Sequence, residues 1–387
     1  MARVHITLVG GQISPVVQLI SHTKPNIVEF IVSRESKESI KTITSETSLS
    51  GLNYAYKTTI LDPTDLDAIL LQARTLSNTY STDDVSVNLM GGTKHWCAIF
   101  AIVFSHTPNA KLLFVDANNS IRTYGSDEHQ SASFNLDTLF RLQGQRLKHY
   151  HAIDEYTEAD FNTANGIERF RQNNYKTFNA LLAVIDKKRS NRLANEKSGR
   201  FDGEKNDSYV EWTKATDDCI NQTVAISFTN DHGKTNTKQY SSPHAIDIAF
   251  NSGWLEIKVA QMFAKFTKVN NVMFNCIFTD TIGNTSNEID IIAVTDNKPV
   301  FIECKTSLYE SKDIDKFHSV AQRCGGSQSK AIVVSYDKLK PAAIEKCRDY
   351  GILYIDCLKD VFASPDKDSL TSQIEISVDN FISTINK

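Results

Sequence analysis

At 387 residues with 41% hydrophobic content, the chain has material for two or three domains with cores of their own, and its net charge of −4 excludes a molecule that binds nucleic acid over its whole surface. No apolar run approaches the length of a bilayer span, and the sequence enters a strand pattern at once without the apolar stretch of a signal peptide, so a cytoplasmic protein is expected. Seven cysteines, scattered and without a Cys-x-x-Cys pair, fit a reducing compartment and argue against structural zinc.

Strand and helix patterns alternate through the first third. Strands are expected at 3–9, 27–32, 53–61, 85–89 and 111–116, with helices to about 22 and at 36–46, 65–80 and 93–105. This order predicts an α/β, doubly wound parallel sheet, whose ligands bind beyond the carboxyl ends of the strands. Two glycine pairs stand at such ends: Gly10-Gly11-Gln12-Ile13-Ser14-Pro15 after the first strand, and Asn88-Leu89-Met90-Gly91-Gly92-Thr93-Lys94 after the fourth. Each opens a helix. Glycine lets a ligand approach the backbone, free N–H groups at a helix start favour an anion, Thr93 suits an N-cap and Lys94 adds a cation. An anionic, nucleotide-like ligand fits these features, although tight turns alone also account for the glycines. Neither the dinucleotide glycine fingerprint nor a full Walker A loop is present.

The middle, 141–235, reads as a helical connector with a basic loop. A helix is expected at 167–185, followed by Lys187, Lys188, Arg189, Arg192, Lys197, Arg200 and Lys205. The interspersed acids favour a solvated loop over a nucleic-acid contact. A strand is expected at 223–228, then a polar stretch at 229–243. His149, His151, His232 and His244 have no metal-site spacing and read as ordinary histidines.

In the last part, 236–387, Gly253 to Phe266 has apolar residues at helical spacing with Glu256 in its first turn. A strand near 272–279 follows, then Asn287 to Thr295 and Lys298 to Lys305 as a hairpin around Asp296-Asn297, a helix near 311–323 and a strand at 330–335. The order is αβββαβ. With the turn on Asp296-Asn297, Asp290 falls opposite Glu303, and Lys305, two residues on, shares their face. The flanking Ile289, Ile291, Ile292, Val300, Phe301 and Ile302 read as a sheet buried on both faces, where unpaired carboxylates are costly. A Mg²⁺ or Mn²⁺ ion at Asp290 and Glu303 would offset their charge, and Lys305 would orient or help deprotonate an attacking water. A metal-free ion-pair ladder is the plainer alternative. Cys304, between the two, points to the core.

Asp290, Glu303 and Lys305 in a hairpin within that element order resemble the PD-(D/E)XK nuclease superfamily over about 250–356, with Ile289 where the proline commonly stands. The resemblance implies Asp290 and Glu303 as metal ligands, Lys305 as base or water positioner and Glu256 as an accessory acid. Residues 1–140, through their two glycine runs, resemble the CARF domain, the sensor of cyclic oligoadenylates in type III CRISPR defence. The two together are similar to dimeric nucleases switched on by cyclic tetra-adenylate. That similarity implies a homodimer with Gln12, Ser14, Asn88, Gly91, Gly92, Thr93 and Lys94 near the ligand, Ser33 and Glu35 as additions, and cleavage of single-stranded RNA and/or DNA. The rival readings are a repair-type nuclease without such a gate and a signalling module that binds the ring without cutting.

Overall fold

Strands β1 (Arg3–Val9), β2 (Ile27–Val32), β3 (Ala55–Ile60), β4 (Asp84–Asn88) and β5 (Ala110–Val115) pair in parallel, in the order β3-β2-β1-β4-β5. Antiparallel β6 (Ser120–Thr123) and β7 (His129–Ser131) extend the edge. In this computed structural model, all residues are described except 117–119, 128, 132–135, 184–186, 204–207, 218, 230–233, 251, 281–282, 296–297, 308–311, 327–328 and 384–387. The chain divides into two units, one built on Met1–Arg146 and the other on Leu147–Thr295 with Pro299–Thr384.

In the first unit the helices cover both sheet faces, as apolar side chains alternating along each strand require. Helices α1 (Ser14–Thr23) and α2 (Ser39–Leu49) bury Val16, Ile20 and Ile43 against Val28, Phe30 and Val32. On the other face, α3 (Leu66–Thr79) and α4 (Lys94–Ser105) bury Ile69, Trp96 and Phe100 against Val4, Ile6 and Val87. The expected doubly wound sheet is therefore present. Helix α5 (Leu136–Leu142) ends the unit.

The second unit starts with β8 (Gln145–Ala152), which joins the edge of a six-stranded sheet of order β17-β16-β15-β14-β13-β8. Its members are β13 (Val269–Asp280), β14 (Thr285–Thr295), β15 (Lys298–Lys305), β16 (Lys330–Ser335) and β17 (Leu353–Ile355). Between β8 and β13 lie helices α6 (Glu158–Asn173), α7 (Tyr175–Phe178) and α8 (Lys187–Asn195). An antiparallel sheet of β9 (Ser198–Asp202), β10 (Tyr209–Thr213), β11 (Gln222–Thr229) and β12 (Thr235–Ser242) follows. Helices α9 (Ala245–Ala249) and α10 (Gly253–Phe263) precede β13, and α11 (Lys312–Gly325) joins β15 to β16, so the expected αβββαβ order holds.

Three features depart from the sequence reading. Residues 187–195 form a helix, where a basic loop was expected. The polar stretch after β11 is a strand, and β8 is a strand in a region expected to be helical. Helix α6 and the second sheet share one core with the six-stranded sheet: Ile167, Phe170, Trp212 and Ile226 belong to the same buried cluster as Trp254, Ile291 and Ile302. The connector is built into the unit that carries the hairpin.

Candidate active site

The hairpin strands are apolar on both faces. Ile289, Ile291, Ile292, Phe301 and Ile302 are fully buried, as expected, and a carboxylate placed among them cannot retreat to bulk water. Asp290 lies in such a run. On the neighbouring strand, Phe274 pairs with Ile291 and Cys276 with Ile289; Asn275 between them has φ +51°, a left-handed kink beside Asp290. Both residues line one cleft of about 700 Å³.

Asp290 accepts a hydrogen bond of 2.7 Å from the backbone N–H of Cys304, which ties β14 to β15 at this level. The Cys304 side chain is buried, as expected, while Lys305 Nζ meets Glu303 Oε1 at 2.7 Å. Glu256 reaches the same cleft from the first turn of α10. That helix is held close by Gly253, where a Cβ would lie 2.0 Å from the carbonyl oxygen of Asp247. The turn residues 296–297, on which the expected register rested, lie outside the described residues.

The charges register one another. Burial, followed by repulsion from Asp290, Glu288 and Glu303, pushes the Glu256 carboxyl well above its ordinary range. Burial and then Glu303 push Asp290 up to about 7, against the pull of Lys305 and the Cys304 N–H. Burial alone would lower Lys305, but Glu303 and Asp290 hold its ammonium above the ordinary value. Glu256, Glu288, Asp290 and Glu303 thus act on one another with one ammonium, that of Lys305, among them, which leaves the group with more acids than cations. An all-oxygen set of this kind fits a hard divalent cation. Among the described residues no three His, Cys, Asp or Glu side chains enclose a metal by themselves. Asp290 and Glu303 would therefore hold the ion with water and substrate oxygens, the usual coordination of Mg²⁺.

Several features of this unit escaped the sequence reading. His149, His151 and His244 are gathered: His149 and His151 ring nitrogens lie 3.2 Å apart, His244 stacks on Tyr156 at 4.0 Å, and Glu155 and Asp160 face His151 and His244 at 3.3 Å. His232 lies outside the described residues. Asp247 and Lys214 open on the cleft. Their only sequence signal was a charge beside a strand or in a short helix, which ordinary surface residues share.

In the first unit, strand order reverses between β1 and β4, and both glycine runs stand at the carboxyl ends of these adjacent strands. This is the topological switch point of a doubly wound sheet. The runs touch: a Cβ on Gly10 would lie 2.8 Å from the Gly92 nitrogen, and one on Gly91 only 1.8 Å from the Leu8 carbonyl oxygen. Close packing thus demands three of the four glycines, whereas a Cβ on Gly11 would meet nothing within 4 Å. Helices α1 and α4 start here with no acid in their first turns; Thr93 caps α4, accepting from the Trp96 N–H at 3.3 Å. Gln12 is exposed, Lys94 opens α4, and Ser14 is buried at the start of α1. Asn88 is fully buried, its amide donating to Thr7 Oγ1 at 2.9 Å and accepting from the Met90 N–H at 2.8 Å, so it shapes the loop from beneath. Ser33 caps the turn after β2, where the Ser36 N–H donates to its hydroxyl at 3.2 Å, and a Ser33 hydrogen bond lowers the exposed Glu35 carboxyl.

Comparison with known proteins bears on both units. A family model described as the Card1 CARF domain matches residues 4–138, and one described as the Card1-like endonuclease domain matches 247–360. Among solved structures, Can2 from Sulfobacillus thermosulfidooxidans in complex with cyclic tetra-adenylate is similar, with a TM-score of 0.65 at 16% identity over 99% of this chain and 100% of that one. Protein VC1899 from Vibrio cholerae gives 0.66 at 16% identity over 99% of both chains. A type III CRISPR defence DNA nuclease activated by cyclic oligoadenylate gives 0.51 at 12% identity, over 88% of this chain and 47% of that one. At such identities the likeness is one of fold. No curated protein matches the sequence.

Proposed function

Because this chain belongs to the family that joins a Card1-type CARF domain to a Card1-like endonuclease domain, a nuclease regulated by cyclic oligoadenylate, we propose that it is a metal-dependent endonuclease gated by cyclic tetra-adenylate. The observation that carries this reading is the meeting of Glu256, Asp290, Glu303 and Lys305 at one end of a buried hairpin. Asp290 and Glu303 would hold Mn²⁺ or Mg²⁺, and such an ion would supply polarisation of a water and a counter-charge to the phosphate oxygens. Asp290 is kept in place by the Cys304 N–H. Lys305 carries its proton in this form, so it donates to the water or phosphate and fixes their approach; Glu256 stands beside them as an accessory acid, its charged form disfavoured by burial and by its acidic neighbours. The reaction is hydrolysis of phosphodiester bonds in single-stranded RNA and/or DNA.

The ligand side rests on the switch-point crevice, with Gln12, Ser14, Gly91, Gly92, Thr93 and Lys94 around it, Asn88 beneath it and Ser33 and Glu35 at its margin. The bound ring in the Can2 structure supports the same ligand class. A ring of four equal units presents identical contacts to two copies of the chain, hence a homodimer. Gating requires that the ligand favour the cutting arrangement over the resting one. No described helix is long and apolar enough to cross a membrane. The test is cleavage of labelled single strands with Mn²⁺, with and without cyclic tetra-adenylate, in wild type and Lys94→Ala. Strong stimulation by the ring in wild type and little in Lys94→Ala is expected; equal cutting without the ring removes the gate.

A further inference from the structure

Four carboxylates, Asp247, Glu256, Glu288 and Asp290, line the cleft, and a polyanion entering beside them needs cations to offset their charge. Among the described lining residues two are cationic: Lys305, taken up with Glu303, and Lys214, just past the end of β10. Lys214 is pinned. Its Nζ donates to the Ala194 carbonyl oxygen at 2.7 Å, near the end of α8, and its backbone N–H donates to the Lys197 carbonyl oxygen at 2.8 Å. Its charge reaches Asp247, on the wall that also holds Glu256. The more conspicuous cations of α8 lie elsewhere. Lys188 and Arg192 line a separate groove with Asn191 and Asn195, while Ser190, Leu193 and Ala194 face the cleft. Arg192 is further engaged by Glu196 at 2.9 Å, the Arg200 carbonyl oxygen at 3.1 Å and the ring of Trp212 at 5.3 Å.

We infer that Lys214, not the basic helix beside it, is the anchor for a substrate backbone phosphate away from the cut, holding the strand across the cleft so that another phosphate reaches Asp290 and Lys305. This rests on the nuclease reading above and adds the residue that positions its substrate. Two of the ammonium's three protons remain for a phosphate once Ala194 is satisfied.

The test uses the full chain with Ca²⁺ in place of Mn²⁺ and fluorescein-labelled single-stranded RNA and single-stranded DNA, read by anisotropy from low to moderate salt. Lys214→Gln keeps a donor for Ala194 and loses the charge; Lys214→Arg keeps both. Lys188→Gln serves as the control on the other groove. For Lys214→Gln, affinity about fivefold weaker and a salt slope shallower by about 0.7 are expected, one phosphate contact of a single strand. Lys214→Arg and Lys188→Gln should match wild type, and cleavage with Mn²⁺ should show a raised KM with kcat kept in Lys214→Gln. An unchanged slope in Lys214→Gln, or equal weakening in Lys214→Arg, overturns the inference. If wild type cuts normally, that result leaves the nuclease reading standing; wild type that never cuts sinks the nuclease reading itself. The RNA and DNA arms tell which backbone the anchor serves.

Discussion

The backbone N–H of Cys304 donates to Oδ2 of Asp290 across 2.7 Å, so the strand that carries Glu303 and Lys305 also fixes the central carboxylate of the cleft. Asp290→Asn keeps an acceptor for that N–H and removes the charge. Cleavage should fall by at least about 100-fold. The metal-free melting temperature should hold or rise, because repulsion with Glu256 and Glu303 is relieved. Thermal melts beside a cleavage assay decide it, and a lowered melting temperature with cutting intact would contradict the assignment.

Metal affinity should depend on pH. Asp290 has its folded pKa raised from 3.8 to about 7, so below that pH the metal-free folded chain holds a proton that an incoming ion must displace. Above it the carboxylate is ready. Mn²⁺ should bind more tightly as pH climbs to about 7, then level off, with proton release on the acid side. Calorimetry in two buffers of different ionisation heat measures both, and affinity that is flat across this range would exclude Asp290 as a ligand.

The first unit carries its own acid sensitivity. His5 on β1 is fully buried, and desolvation first, then His22, lowers its pKa from 6.5 to about 3. A group with a depressed folded pKa stays neutral in the fold and charges on unfolding, so its stability contribution is full above 6.5 and is lost as pH falls toward 3. His5→Leu should flatten the decline of that unit's melting temperature across this window. A decline as steep as wild type would show that other groups control it.

In the second unit, Lys258 on α10 pairs with Glu168 on α6, both 7% exposed, and Tyr336 donates to Glu168 at 3.0 Å. Lys258→Met leaves the glutamate charge buried without its cation, and should cost about 3–5 kcal/mol. Lys258→Met with Glu168→Gln should recover most of that. Urea denaturation of the single and double variants checks it; equal losses in both would mean the pair contributes no charge compensation.

Much of the fold was legible because its signals are local. Strands Arg3–Val9, Ile27–Val32 and Lys330–Ser335 carry apolar runs bounded by turn residues, and Thr93 and Asp65 announce the helices they cap. The hairpin was equally open, since fully buried strands with Asp290, Glu303 and Lys305 among them break the apolar pattern in one place. β12 was not, because Thr-Asn-Thr-Lys-Gln-Tyr-Ser-Ser is an edge strand, polar and mostly exposed, held by β11 and by Tyr240 donating to Gly166. Asn88 shows a second limit: an amide beside a glycine run reads as a ligand contact until Thr7 and Met90 are seen to use both of its ends. The gathering of His149, His151 and His244, and the approach of Lys214 to the cleft, depend on sheet pairings between distant segments, which no local pattern encodes.

The most direct measurement is single-turnover cleavage of a labelled single strand by Lys305→Ala at saturating Mn²⁺ and cyclic tetra-adenylate, with Mn²⁺ affinity and melting temperature taken on the same preparation. Cutting reduced to background while folding and metal binding persist is the expected result, because Asp290 and Glu303 remain to hold the ion and the group that orients the reacting atoms is gone. Full activity in Lys305→Ala would contradict the assignment of this cleft as the catalytic centre.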